Sequence, residues 1–191
     1  MKLKHLILST LILSTVISFS QDKEFDSHEV TLEIPNVALL DLESSSGIDI
    51  KLKGTAPEEA GEALVFNASN SDIWINYSSI ADSKYNASRS ITVKITDGDV
   101  PKGLELTVIA SDYSGIGKGK MGKPEKYAID LSKKKEEIII DGVGSSYTGN
   151  GPNNGHQLTY TLSQSSDKNS YEDLDFDQSE TVTITYTLSD D

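Results

Sequence analysis

Residues Thr181 to Leu188 read TVTITYTL, with Val182, Ile184, Tyr186 and Leu188 alternating with four threonines. A strict period of two marks a strand with one buried and one solvated face. β-Branched and aromatic side chains suit such a pleated, half-buried surface. Each inward residue contributes about 1.5–3 kcal/mol when fully buried. An unpaired strand is a template for aggregation, so this octapeptide is expected to pair within a sheet.

Working outward, the same alternation recurs. Val30, Leu32 and Ile34 alternate before Pro35, and Val37 to Leu42 is again apolar. Ile48, Ile50 and Leu52 form a second alternating run, and Leu64-Val65-Phe66 reads as a short buried one. Ile73, Ile75 and Tyr77 follow, then Ile91, Val93 and Ile95 up to Asp97-Gly98-Asp99, where Gly98 is free to take a positive φ. Leu104, Leu106, Val108 and Ala110 share one face, and Tyr127, Ile129 and Leu131 predict a short strand. Ile138-Ile139-Ile140 reads as a central strand, and Leu158, Tyr160 and Leu162 as a half-buried one. Leu174 and Phe176 alternate with acids and lead into TVTITYTL. Roughly ten short strands, with turn signals every ~8–12 residues and no long helical period, predict an all-β antiparallel sandwich.

The N-terminal stretch reads differently. Lys2 and Lys4 precede an apolar run from Leu6 to Phe19, and Ser18-Phe19-Ser20 supplies small residues for cleavage before Gln21. That order is the signature of a secretory signal peptide over residues 1–20, with 21–191 as one β-sandwich domain. An uncleaved anchor and a buried N-terminal helix are the alternatives. The chain has no cysteine, which excludes disulfides, thiolate metal sites and a cysteine nucleophile. Its formal charge of −13 becomes −15 without the two leader lysines. That sign opposes nucleic acid and anionic membranes as partners. No second apolar run reaches membrane length, so the mature chain is not expected to insert. Secretion to the periplasm, the cell surface or beyond is the expected destination.

Motifs for chemistry are few. From Gly117 the chain reads G-x-x-x-x-G-K, but Pro124 stands where a phosphate loop needs Ser or Thr, and a strand rather than a helix should follow. A flexible hairpin loop is the expectation for Asp112 to Pro124. Asp173, Asp175 and Asp177 give D-x-D-x-D, yet Gln178 and Ile184 replace the Gly and Glu of a calcium loop. Those carboxylates are expected on one solvated strand face, with a surface calcium site as the alternative. The histidines are His5, His28 and His156, without zinc spacing. No serine lies in G-x-S-x-G. No cofactor is called for and no enzyme signature emerges, although a triad or carboxylate pair assembled from scattered residues would leave no local trace. Asn67, Asn76 and Asn86 head N-x-S triplets, which matter only in a eukaryotic secretory route. Tyr77, Tyr160 and Tyr186 are in phase with the core. Tyr113 and Tyr147 lie in glycine-rich loops and, with Trp74, are candidates for a carbohydrate-stacking surface.

Trp74-Ile75-Asn76-Tyr77, Gly103-Leu104-Glu105-Leu106, Gly144 to Gly149 (GSSYTG), Leu158 to Leu162 (LTYTL) and the closing TVTITYTL carry a family likeness. Together they resemble secreted bacterial fimbrial-type proteins of the spore coat protein U and chaperone–usher pilin group. The resemblance implies an immunoglobulin-like sandwich whose subunits join by donating an N-terminal strand. Val30, Leu32 and Ile34 match the donor. The same segment reads first as the opening strand of the chain's own sheet, and second as a strand given to a neighbour. The expected function is a non-enzymatic structural or adhesive surface protein, partnered with itself or other surface proteins. A secreted carbohydrate-binding module is the alternative, with glycans as partners.

Overall fold

The computed structural model describes residues 25–82, 87–177 and 179–191. The expected signal peptide (residues 1–20), Asn86 and Gln178 lie outside the described residues. The chain divides into two units, Met1–Ile34 and Pro35–Asp191. In the first, residues 25–34 form no strand, and Val30, Leu32 and Ile34 are 66%, 88% and 83% exposed. The expectation that they open the chain's own sheet is therefore overturned; the first strand begins at Val37.

The second unit is an all-β sandwich of two antiparallel sheets. Its strands are β1 Val37–Ser44, β2 Asn67–Ile80, β3 Arg89–Asp97, β4 Leu104–Ala110, β5 Lys118–Gly119, β6 Lys123–Pro124, β7 Ile129–Asp130, β8 Glu137–Val143, β9 Ser146–Tyr147, β10 His156–Gln164 and β11 Thr183–Asp190. The larger sheet runs β5-β9-β2-β10-β4-β7, with β1 on the other side of β2. The smaller runs β11-β3-β8-β6. The long strand β2 organises the first sheet. One edge takes β10 along residues 67–75 and β9 at 78–79, while the other takes β1 along 73–80.

The pleat explains the core. Ile73, Ile75 and Tyr77 of β2, Val108 of β4, and Leu158 and Tyr160 of β10 turn inward and are buried. They meet Ile91, Val93 and Ile95 of β3 and Ile139, Ile140 and Val143 of β8. The triple isoleucine does not alternate because the ladder shifts register: Ile140 pairs with Ile91 and Ile138 with Thr92. That bulge turns both Ile139 and Ile140 inward and leaves Ile138 41% exposed. Among the described residues the closing strand pairs only with β3, and Val182, Ile184, Tyr186 and Leu188 pack half-buried against the core.

Several sequence expectations change. Ile50 and Leu52 pack on the core, but residues 48–54 join no ladder. Val65 is exposed and makes only an isolated bridge with Thr55. The strand expected through Tyr127 and Leu131 shrinks to Ile129–Asp130, followed by a 3₁₀ turn at Leu131–Lys133 that Asp130 caps. Leu174 and Phe176 lie among turns, and Phe176 points into solvent. Gly98 does take a positive φ of 79°. Among the described residues no helix is long and apolar enough to cross a membrane.

Candidate functional site

Two features of the first sheet stand out: a buried polar cluster that shapes its outer surface, and an unprotected edge. The cluster begins with His156 at the start of β10, which is fully buried. Its Nδ1 lies 2.8 Å from the Ser111 carbonyl oxygen, which can only accept, so Nδ1 carries the proton. Nε2 is then the acceptor, and the Tyr77 hydroxyl donates to it at 3.1 Å. That hydroxyl in turn accepts from the Gly122 amide at 3.2 Å. The Tyr77 and His156 rings stack, and Tyr113 meets His156 edge-on. Burial pushes His156 below its usual range, against smaller upward pulls from Ser111 and Asp112. Burial pushes Tyr77 up to about 12, with the Gly122 amide opposing. Both ring nitrogens of His156 are thus engaged in holding loops.

The loops it holds are closely packed. Thr148 Oγ1 accepts from the Tyr77 amide at 3.0 Å, and the Thr148 amide donates to the Tyr77 carbonyl at 3.0 Å. The Tyr113 hydroxyl donates to the Thr148 carbonyl at 3.0 Å. The segment expected to be a flexible glycine-rich loop instead carries two short strands, β5 paired with β9 and β6 paired with β8 of the smaller sheet. A Cβ at Gly117 or Gly119 would overlap the backbone of residues 145–148. Gly155, at φ 90°, lets the end of the loop before β10 lie directly on β2, where a Cβ would overlap the Ile75 carbonyl oxygen.

On the outer face of β2, Trp74, Asn76 and Ser78 alternate with the inward Ile73, Ile75 and Tyr77. An open cleft of about 490 Å³ lies over this face. Leu39 and Asp41 of β1 line one side, Asn76 and Ser78 the floor, and Tyr147, Gly149 and Asn150 the other side. Asn76 is 5% exposed; its Nδ2 donates to the Asn154 carbonyl, and its Oδ1 has no partner among the described residues.

The edge is β1. Its eight residues pair with β2 without a register shift, and among the described residues no strand pairs with its other side. Natural edges are blunted by lysine, proline, bulges or brevity. Here β11 has a register shift, β6 contains Pro124, and β5 and β7 have two residues each. The β1 sequence VALLDLES has neither lysine nor proline, its charges being Asp41 and Glu43, and Leu39 on it is 67% exposed.

The structure separates the residues proposed for ligand stacking. Tyr147 lines the cleft, 48% exposed. Tyr113 is half-buried against His156, with its hydroxyl bonded. Trp74 is half-buried on the same outer face as the cleft, between Glu43 of β1 and Gln157 of β10. Asp173, Asp175 and Asp177 lie in turns rather than on a strand face, and among the described residues no three His, Asp or Glu side chains converge to hold a metal. Asn76 is too buried to accept a glycan, whereas Asn67 is exposed. Sequence reasoning missed Asp41, Ser78 and Asn150, polar residues that become neighbours only through strand pairing. The sequence matches no family model, and neither a curated protein nor a solved structure is significantly similar to the chain.

Proposed function

We propose that this is an exported structural or adhesive subunit that joins copies of itself by β-strand addition. The observation that carries the reading is the open edge of β1, present in a chain that also has an exposed alternating segment with no strand partner among the described residues. Residues 30–34 of one copy would add to β1 of the next. Backbone hydrogen bonds would give affinity, and alternate side chains would give register. Val30, Leu32 and Ile34 share one face of an extended segment, so they would continue the apolar layer of Leu40 and Leu42, which pack on the core. Thr31 and Glu33 would face outward beside Leu39 and Asp41. The leader-like N-terminus and the acidic surface suit a soluble protein acting outside the cell.

The test is assembly of the chain over residues 21–191, followed by sedimentation velocity across a wide concentration range. Oligomers are expected. Leu32→Pro, which removes a ladder donor and disrupts the extended apolar face, should abolish them without changing the melting temperature. A synthetic peptide of residues 27–36 should cap the oligomers. A chain that stays monomeric and ignores the peptide, or oligomers unchanged by Leu32→Pro, would end the proposal.

A further inference from the structure

We propose that the outer-face cleft is a binding site for neutral sugars, with Tyr147 as its stacking platform. This inference stands apart from strand addition and would survive its failure.

The platform is fixed. The Tyr147 backbone pairs on both sides, with Ser78 of β2 and Lys118 of β5, so its ring is carried on the sheet rather than on a loose loop. The other aromatic groups nearby are used internally: Tyr77 holds His156, and Tyr113 holds Thr148. Among the described residues the Tyr147 hydroxyl makes no hydrogen bond, and its ring is half exposed. A pyranose has an apolar C–H face that packs on such a ring and a rim of hydroxyls that need donors and acceptors. Leu39 supplies a second apolar wall. Asp41, Ser78 and Asn150 supply hydrogen-bonding groups around it.

Charge selects the ligand class. The lining contains no lysine or arginine and one carboxylate, Asp41, on a chain of formal charge −13. Phosphorylated, sulfated or uronic acid ligands would meet that acidic field, answered beside the platform by Lys118, the cross-strand partner of Tyr147. A neutral polyhydroxylated ligand meets no such cost. The volume of about 490 Å³ falls within the ~300–1,000 Å³ of small-molecule sites. Its open shape suits a segment of a longer glycan rather than an enclosed monosaccharide.

The experiment is isothermal titration calorimetry of the chain over residues 21–191 against cello-, xylo-, manno- and N-acetylglucosamine oligosaccharides. The fluorescence of Trp74, the only tryptophan, gives a second readout from the same face of β2. At least one neutral oligosaccharide should bind. Tyr147→Ala should weaken it by about tenfold or more, while Tyr147→Phe keeps most of the affinity. Tyr127→Ala, an exposed tyrosine outside the cleft, should change nothing. Leu39→Lys provides a second lesion if Tyr147→Ala fails to fold, and should also weaken binding. The proposal is overturned if no member of the panel binds, or if binding persists in folded Tyr147→Ala or Leu39→Lys.

Discussion

Arg89 Nε donates to Asp190 Oδ1 at 2.7 Å across the β3–β11 ladder, joining a guanidinium that is 4% exposed to a carboxylate that is 74% exposed. The rest of the guanidinium faces the other sheet. It donates to Ser79 Oγ at 3.0 Å, to the Ile80 carbonyl at 3.3 Å, to Asn36 Oδ1 at 2.8 Å and to the Val37 carbonyl. One side chain therefore ties the start of β1, the end of β2 and the end of β11 together. Removing it leaves neutral acceptors unpaired, so Arg89→Met should cost about 1–3 kcal/mol for each buried acceptor it orphans. Asp190→Asn should cost less, because the carboxylate end of the pair is exposed and screened by solvent. Urea unfolding of both variants checks the order. Equal losses would show that the ion pair, not the inward contacts, holds the corner.

His156 makes stability depend on acid. Its folded value lies below the ordinary 6.5, so as pH falls the unfolded chain takes up this proton first. The stabilisation is therefore complete above 6.5 and is lost as pH falls from there towards the folded value. Charging the ring would also require Nε2 to give up the bond it accepts from Tyr77. The groups facing it are Tyr77, Tyr113, the Ser111 carbonyl and the nearby Asp112. Urea unfolding at several pH values between 5 and 7.5 should show stability rising with pH. His156→Asn should be less stable at pH 7.5, by about 1–3 kcal/mol from the lost bonds, and should show a shallower slope below 6.5.

Alkali should act through the Tyr160–Tyr186 pair. Their hydroxyls lie 2.7 Å apart and link β10 of one sheet to β11 of the other. Burial raises Tyr160 to about 12 and Tyr186 well above its usual value, the latter pushed further by Tyr160. For a raised folded value, stability is complete below the unfolded value near 10 and is lost as pH climbs above it. Tyrosinate absorbance should therefore show a late rise that coincides with unfolding, in which these two and the likewise raised Tyr77 ionise. Tyr160→Phe or Tyr186→Phe should each cost about 1–2 kcal/mol at neutral pH by orphaning the partner hydroxyl. The double variant should recover part of that loss, which a double-mutant cycle would reveal.

The alternating runs of β2, β3, β4, β10 and β11 were legible because a period of two is the pleat itself. The triple isoleucine was legible as core but not as a bulge, since its register depends on Ile91 and Thr92 of another strand. Tyr113 and Tyr147 gave the same local signal, an aromatic in a glycine-rich loop, and had opposite outcomes. Contacts far along the chain, with the His156 ring and the Thr148 carbonyl, draw Tyr113 inward. The role of Arg89 had one available signal: it is the chain's only arginine, placed at the head of an alternating strand. Asp41, Ser78 and Asn150 carried none, because their meeting is a consequence of pairing between strands.

The clearest departure from pattern gives the last prediction. Ile48, Ile50 and Leu52 alternate as a strand should, and Ile50 and Leu52 do pack on the core. Alternation reports which side chains are buried, and says nothing of whether backbone groups find a ladder. Here they do not: among the described residues no backbone hydrogen bond involves positions 48–53. The segment is then held by two half-buried side chains alone, at the low-stability end of the fold. Amides of Ile48 to Lys53 should exchange with solvent orders of magnitude faster than those of Ile75 and Val93, whose strands are paired on both edges. Hydrogen exchange read by mass spectrometry or NMR measures this directly. Leu52→Ala should cost less than the roughly 2–5 kcal/mol typical of a fully buried leucine, because its site is open to solvent on one side. Slow exchange across 48–53 would mean that the segment is paired in solution and that β1 or β11 has a further strand beside it.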